Sequence, residues 1–103
     1  MKKKYVPTFQ GESAVEAIGK NLKIARLRRN ESETLASQRL GISRTTYQRV
    51  EAGDPSVASG ILLDALLQYG FDTQVFEVGS PDHDDVGKRL ERLRLPKKGR
   101  THD

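Results

Sequence analysis

Residues 32–53, SETLASQRLGISRTTYQRVEAG, constrain the fold of this chain more than any other stretch. Ser32 is a preferred residue at a helix start, and Gly41 stands where a left-handed residue would end that helix. Ser43 is placed to begin a second helix, which Gly53 ends in the same way. The stretch therefore predicts two short helices that are joined by a tight turn.

The second predicted helix, from Arg44 to Ala52, has one apolar side. Tyr47 and Val50 are three residues apart, so they share a face that can pack into a core. The remaining faces are polar and carry Arg44, Thr45, Gln48 and Arg49. An ordinary helical hairpin in some other bundle is the alternative interpretation of these features.

The spacing of Leu40-Gly41-Ile42-Ser43, followed by Tyr47, Val50-Glu51 and Gly53, resembles the helix-turn-helix of the lambda-repressor/Cro-like (XRE) family. The likeness runs from about residue 18 to residue 69. It implies a mostly α bundle of about five helices, with the second helix of the motif in the DNA major groove. Arginine suits guanine O6 and N7, and the expected base-reading residues are Arg44, Thr45 and Arg49. The expected phosphate contacts are Lys20, Lys23, Ser43, Thr46 and Gln48.

Two further runs, residues 44–57 and 87–98, are similar to those of HipB-like antitoxins, which accompany HipA-like serine/threonine kinase toxins. This resemblance implies a homodimer that binds double-stranded operator DNA of its own operon and also binds the kinase toxin. An ordinary XRE repressor without a toxin is one alternative. A protein-interaction module with weak DNA affinity is another, favoured by Glu31 and Glu33, which replace the apolar residue and the glutamine usual in the family.

The formal net charge of +4 is distributed unevenly along the chain. Residues 1–29 sum to +6 and residues 88–103 to +5, whereas residues 56–87 hold six acidic side chains and no lysine or arginine. Basic segments suit a phosphate backbone, and the acidic middle suits solvent or a protein partner. A solvated basic face is the competing interpretation for the lysines and arginines of the first helix.

Start signals divide the chain into four parts. Ser13 and Glu16 form a capping box, which predicts that the first helix begins near Ser13. Ser56 is the expected cap of a fourth helix. The predicted parts are a flexible basic arm (1–12), a helix-turn-helix domain (13–70), a strand and helix for dimerisation or a partner (71–95), and a disordered basic tail (96–103).

The run FDTQVFEV at residues 71–78 is rich in aromatic and β-branched residues and predicts one strand. A single strand has no partner in a helical chain, so we expect it to pair with the same strand of a second copy about a two-fold axis. An irregular extended segment that packs on the fourth helix is the alternative. The expected dimerisation residues are Phe71, Thr73, Val75, Phe76 and Val78. Ser80 and Pro81 then predict the start of a last helix.

Several classes of protein are not expected from this sequence. The chain has no cysteine, so it has no disulfide or thiolate metal site, and it fits a reducing cytoplasm. Its N-terminus lacks the apolar run of a signal peptide, and no stretch reaches the length of a membrane span. His83 lies at a predicted helix start and His102 in the predicted tail, and neither belongs to a recognisable catalytic constellation. We therefore predict neither an enzyme, nor a metal, nor a cofactor.

Overall fold

A computed structural model of the chain describes residues 5–94, which are mostly helical. The prediction of a mostly α chain is confirmed, and the described residues contain no strand. The elements in chain order are α1 (Phe9–Arg28), α2 (Glu33–Leu40), α3 (Arg44–Ala52), α4 (Ser59–Gln68), α5 (Asp72–Glu77), a short 3-10 helix (Pro81–His83) and α6 (Asp85–Arg94).

Helix α1 begins earlier than the sequence predicts. Its N-cap is Thr8, whose Oγ1 accepts a hydrogen bond from the backbone amide of Gly11 at 3.0 Å. That bond satisfies one of the free amides of the first turn, so the helix starts there and not at the capping box of Ser13 and Glu16. Residues 9–12, which were assigned to the flexible arm, belong to α1.

The start and end signals predicted for α2 and α3 are confirmed. Ser32 Oγ accepts a hydrogen bond from the Leu35 amide, and Ser43 Oγ accepts one from the Thr46 amide, each at 3.0 Å. Both helices end at a glycine in the left-handed region, at φ 68° in the first case and 74° in the second. Glycine reaches this region without the strain that a side chain would introduce.

A hydrophobic core lies between α1, α3 and α4. Its buried residues are Leu22, Ala25, Val50, Ala65 and Tyr69. Partly buried apolar residues surround them: Ile18, Leu40, Val57, Ile61, Leu62, Leu66 and Phe71. Tyr47 is fully buried as well, so the apolar side predicted for α3 does face inward.

Helices α1 and α3 approach each other closely at Gly19. A Cβ atom at this position would lie 2.6 Å from the carbonyl oxygen of Glu51 and 2.7 Å from that of Val50. A second close approach joins Gly53 to α1, because a Cβ there would lie 2.5 Å from Cα of Glu16. The obstructing atoms belong to the backbone and cannot rotate away. The two glycines therefore let α1 fix the position of α3.

Ser56 lies in the turn between α3 and α4 and does not have the capping role that the sequence predicts. The Ser56 amide and hydroxyl both donate to Asp54 Oδ1, at 2.8 and 2.7 Å. Ser56 is thereby held in the turn, and α4 begins later, after Ala58, which forms no side-chain cap. The prediction that Ser56 caps the fourth helix is wrong, because the Ser56 hydroxyl bonds to the Asp54 carboxylate and α4 begins after Ala58.

The described chain divides into two compact units: the first ends at Asp72 and the second begins at Thr73. None of residues 73–94, the part of the second unit that the structure describes, is buried. In it, Ser80 and Pro81 start the 3-10 helix and not the last α-helix. Asp84 caps α6, since its Oδ1 accepts a hydrogen bond from the Gly87 amide at 2.8 Å.

The strand predicted at residues 71–78 is wrong, because α5 occupies most of that segment. A lone strand leaves its backbone groups without partners in the chain, whereas a helix pairs them within the segment. Asp72 in the first turn also suits the positive end of the helix dipole. Of the five expected dimerisation residues, Phe71 packs on the core of the first unit and Val75 is half-buried. The other three are exposed: Thr73, Phe76 and Val78.

Two predicted segments lie outside the described residues. These are the first four residues of the basic arm and the basic tail at 96–103. Among residues 5–94, no helix combines the length and the apolar composition that crossing a membrane requires.

Candidate nucleic-acid interface

Helix α3 presents a polar exposed face opposite its buried one. An α-helix has 3.6 residues per turn, so positions 44, 45, 48 and 52 fall on one side, away from Tyr47 and Val50. Every residue on that side is exposed: Arg44, Thr45, Gln48 and Ala52. The side chains on this face, which take no part in the core, are free to contact a ligand surface.

A buried ion pair holds α3 in place against α1. Arg26 Nε donates to Glu51 Oε2 at 2.7 Å, and Arg26 Nη2 donates to Oε1 at 3.1 Å. The two side chains are only 7% and 6% exposed. The Tyr47 hydroxyl donates to the same carboxylate at 2.6 Å, and Arg26 Nη1 donates to the Glu31 carbonyl at 2.8 Å. The hydrogen bond to Glu51 raises the pKa of Arg26, and burial raises the pKa of Tyr47.

Sequence reasoning missed this pair and placed Arg26 on the basic surface of the first helix. The signal was available in the spacing: Arg26 follows Leu22 by four residues, so the two share a helix face. Glu51 follows Tyr47 by four residues in the same way. A charged residue on each of two predicted core faces indicates a buried pair.

Glu33 binds two side chains of the exposed α3 face. Its Oε1 accepts a hydrogen bond from Gln48 Nε2 at 3.2 Å and lies 3.4 Å from Arg44 Nη2. Hydrogen bonds from Gln48 and then Arg44 hold the pKa of Glu33 below its usual range. Arg44 is nevertheless still 62% exposed. The structure therefore brings Arg44 and Gln48 together, although sequence reasoning gave one a base contact and the other a phosphate contact.

Arg49, the third predicted base-reading residue, is bound to the turn that follows α3. Its Nε donates to Asp54 Oδ2 at 2.9 Å, and its Nη2 donates to Ser56 Oγ at 2.5 Å. Hydrogen bonds from Ser56 and Arg49 hold the pKa of Asp54 well below its usual range. Arg49 thus braces the turn after α3. Thr45, in contrast, lies on the exposed face beside Arg44.

The predicted phosphate contacts fall into two groups. Ser43 and Thr46 already bond to each other, since the Ser43 hydroxyl donates to Thr46 Oγ1 at 2.9 Å and accepts from the Thr46 amide. Lys20 and Lys23 are exposed on α1. Lys23 lies one helical turn after Gly19, the point at which α1 crosses α3. The lysines are therefore the freer donors for a phosphate.

Glu31 joins the end of α4 to α2, and this contact was not foreseen. Its Oε1 accepts a hydrogen bond from the Tyr69 hydroxyl at 3.1 Å, and its Oε2 accepts one from Arg39 Nη1 at 2.7 Å. Arg29 lies over the Tyr69 ring, 4.9 Å from its centroid, in a cation–π contact. Glu31 therefore has a structural role in this unit.

No protein-family model, curated protein or solved structure matches this chain.

Proposed function

We propose that the chain is a sequence-specific DNA-binding repressor that acts as a homodimer. The observation that carries this proposal is the exposed face of α3, on which Arg44, Thr45 and Gln48 lie side by side. Arginine and glutamine are the side chains that make bidentate hydrogen bonds with guanine and adenine in the major groove. Gln48 joins the base-reading set, and Arg49 reads a base only if it leaves Asp54 and Ser56.

The packing that fixes the position of α3 also supports this proposal. A reading helix must hold its side chains in a fixed register, because base edges are distinguished by the positions of their donors and acceptors. Here Tyr47 and Val50 are buried and anchor α3, and the Arg26–Glu51 pair ties it to α1. Lys20 and Lys23 on α1 supply the charge that phosphate contacts need.

A binding titration tests the DNA proposal. Duplexes enriched from a random library by the purified chain should share one sequence, and fluorescence anisotropy should show tighter binding to it than to a scrambled duplex. Arg44→Ala should cost about 1–3 kcal/mol on the enriched duplex and relax the preference at one base position. Lys20→Ala should weaken both duplexes equally. The absence of any enriched sequence, with equal affinity for both duplexes, would refute sequence-specific binding.

We place the homodimer contact on α6 and not on a strand. Val86, Leu90 and Leu93 form one apolar stripe on this helix, and all three are more than half exposed. Asp85 begins the helix, whereas Arg92 and Arg94 end it. Two copies that pack antiparallel bring each acidic start against a basic end and bury the stripe, which is the self-complementary contact of a two-fold dimer.

Leu90 would lie near the two-fold axis, so Leu90→Lys tests the dimer. Sedimentation velocity at micromolar concentration should find a dimer for the wild type and a monomer for this variant. Lys88→Glu is the control, because Lys88 lies off the stripe. DNA binding by the dimer should use two half-sites about one helical turn, ~34–36 Å, apart. A wild-type chain that stays monomeric both free and on DNA would contradict the proposal.

The kinase partner is a separate proposal that rests on the resemblance to HipB-like antitoxins. If the chain is the antitoxin of a HipA-like serine/threonine kinase toxin, a kinase-like reading frame should neighbour its gene and the two products should co-purify. A chain that binds DNA without such a partner would be an ordinary repressor. A chain that binds the kinase but no DNA would be a protein-interaction module.

A further inference from the structure

One carboxylate oxygen restrains two side chains of the exposed α3 face. Glu33 is the first residue of α2, and its Oε1 lies 3.2 Å from Gln48 Nε2 and 3.4 Å from Arg44 Nη2. The Glu33 side chain is 26% exposed and that of Arg44 is 62% exposed, so the carboxylate is the more buried member of the pair. A negative charge thus lies within the surface that would meet a polyanion.

The position of Glu33 at the start of α2 explains a carboxylate there but not its contacts with Arg44 and Gln48. A carboxylate in the first turn suits the helix dipole, and this holds at any helix start, whether or not the helix lies beside a ligand surface. Ser32 already caps α2 through the Leu35 amide, so capping does not require Glu33. The dipole also does not explain why the carboxylate bonds to the exposed face of another helix.

The negative charge of Glu33 changes how Arg44 can contact DNA. A free Arg44 would contact any phosphate and would add to affinity for every duplex, because phosphate contacts carry no sequence information. Paired with Glu33, Arg44 contributes no net charge to that contact. It keeps its fork of N–H donors, of which one bonds to Glu33 and the others remain for a base edge.

We propose that Glu33 is a specificity-determining residue for B-form DNA, which keeps Arg44 and Gln48 off the phosphate backbone and directs them to base edges. This inference rests on the proposed function. Glu33 is expected to lower the affinity for every duplex, and to lower it most for duplexes that lack the preferred bases. The ratio of specific to non-specific affinity is therefore higher with the carboxylate than without it.

Three variants separate the charge of Glu33 from its geometry. Glu33→Gln removes the charge but keeps an oxygen that can accept from Arg44, whereas Glu33→Ala removes both. Asp64→Asn removes one carboxylate from an exposed position on α4, and it controls for a change in net charge alone. Thermal melts by circular dichroism should confirm that all three are folded.

The measurement is fluorescence anisotropy on the enriched duplex and on a scrambled duplex at several salt concentrations. For Glu33→Gln we expect about tenfold tighter binding to the scrambled duplex and a salt slope that is steeper by about one phosphate contact, roughly 0.9. The gain on the enriched duplex should be smaller, so the specificity ratio should fall several-fold. Glu33→Ala should lower the ratio further, and Asp64→Asn should leave it unchanged.

A second background tests whether Glu33 acts through Arg44. In an Arg44→Ala chain, Glu33→Gln should no longer steepen the salt slope, because the released guanidinium is absent. An unchanged specificity ratio in Glu33→Gln would overturn the inference while leaving DNA binding intact, as would an equal effect of Asp64→Asn. If the wild type binds no duplex at all, the proposed function fails, and this inference fails with it.

Discussion

Replacing Arg26 with methionine tests whether the buried ion pair holds the first unit together. Methionine keeps most of the apolar stem but removes both hydrogen bonds to Glu51 and the one to the Glu31 carbonyl. The Glu51 carboxylate would then be buried without the arginine, and it would keep the hydrogen bond from the Tyr47 hydroxyl. Breaking a buried pair in this way costs about 3–5 kcal/mol, a large part of the roughly 5–15 kcal/mol that stabilises a typical domain.

The double variant Arg26→Met/Glu51→Leu separates the charge effect from packing. It leaves no isolated carboxylate, so the remaining loss is chiefly the unpaired hydroxyl of Tyr47, about 1–3 kcal/mol. We therefore expect the double variant to be more stable than Arg26→Met by about 2 kcal/mol. Arg26→Lys should fall between wild type and Arg26→Met, because lysine keeps the charge but cannot make the two-point contact.

Urea denaturation followed by circular dichroism at 222 nm measures these differences. The free energy lost in Arg26→Met should be the same at low and high salt, because buried pairs are weakly screened. A loss below about 1 kcal/mol in the single variant would refute the reasoning, since it would mean that water reaches Glu51. With Glu51→Leu measured alone as well, single-variant losses that simply add in the double variant would show that the two residues do not interact.

Single variants test three further local features, one of them with a matched control. Gly19→Ala should cost about 1–3 kcal/mol or more in urea denaturation because its Cβ meets backbone oxygens, whereas Gly60→Ala, with no atom within 4 Å of its added Cβ, should not destabilise the fold. Ser43→Ala should lower the free energy of unfolding by about 1 kcal/mol through loss of the α3 cap, which thermal melts would detect. The pKa of Asp54 is lowered in the folded chain, so its contribution is present above the ordinary aspartate value of about 3.9 and is lost as pH falls below it. The urea midpoints of wild type and Asp54→Asn should therefore differ at neutral pH and converge in acid.

Features that depend on neighbouring residues were predictable from the sequence. The caps at Ser32 and Ser43 and the left-handed glycines at positions 41 and 53 each depend on residues within a few positions. The same local rules predict Ser13 as the start of α1, although Thr8 offers an equivalent hydroxyl five residues earlier. Local rules recognise start signals but do not rank two signals that lie close together.

Features that depend on distant residues were missed. Arg26 and Glu51 are 25 positions apart, so their pairing becomes apparent only when the crossing of α1 and α3 is known. The composition of residues 71–78 favoured a strand, but strand propensity reflects cross-strand neighbours, and the described chain supplies none. Glu33 could be expected to pair with a nearby arginine, but only the folded chain shows that Arg44 is the one it meets.

The separation between the two faces of α3 has a consequence for how this chain can change over generations. Tyr47 and Val50 are committed to the core, whereas Arg44, Thr45 and Gln48 contribute nothing to it. Substitutions at the exposed positions alter what the surface recognises at little cost in stability. A lineage of such chains can therefore diverge in ligand preference while its folding stays constant.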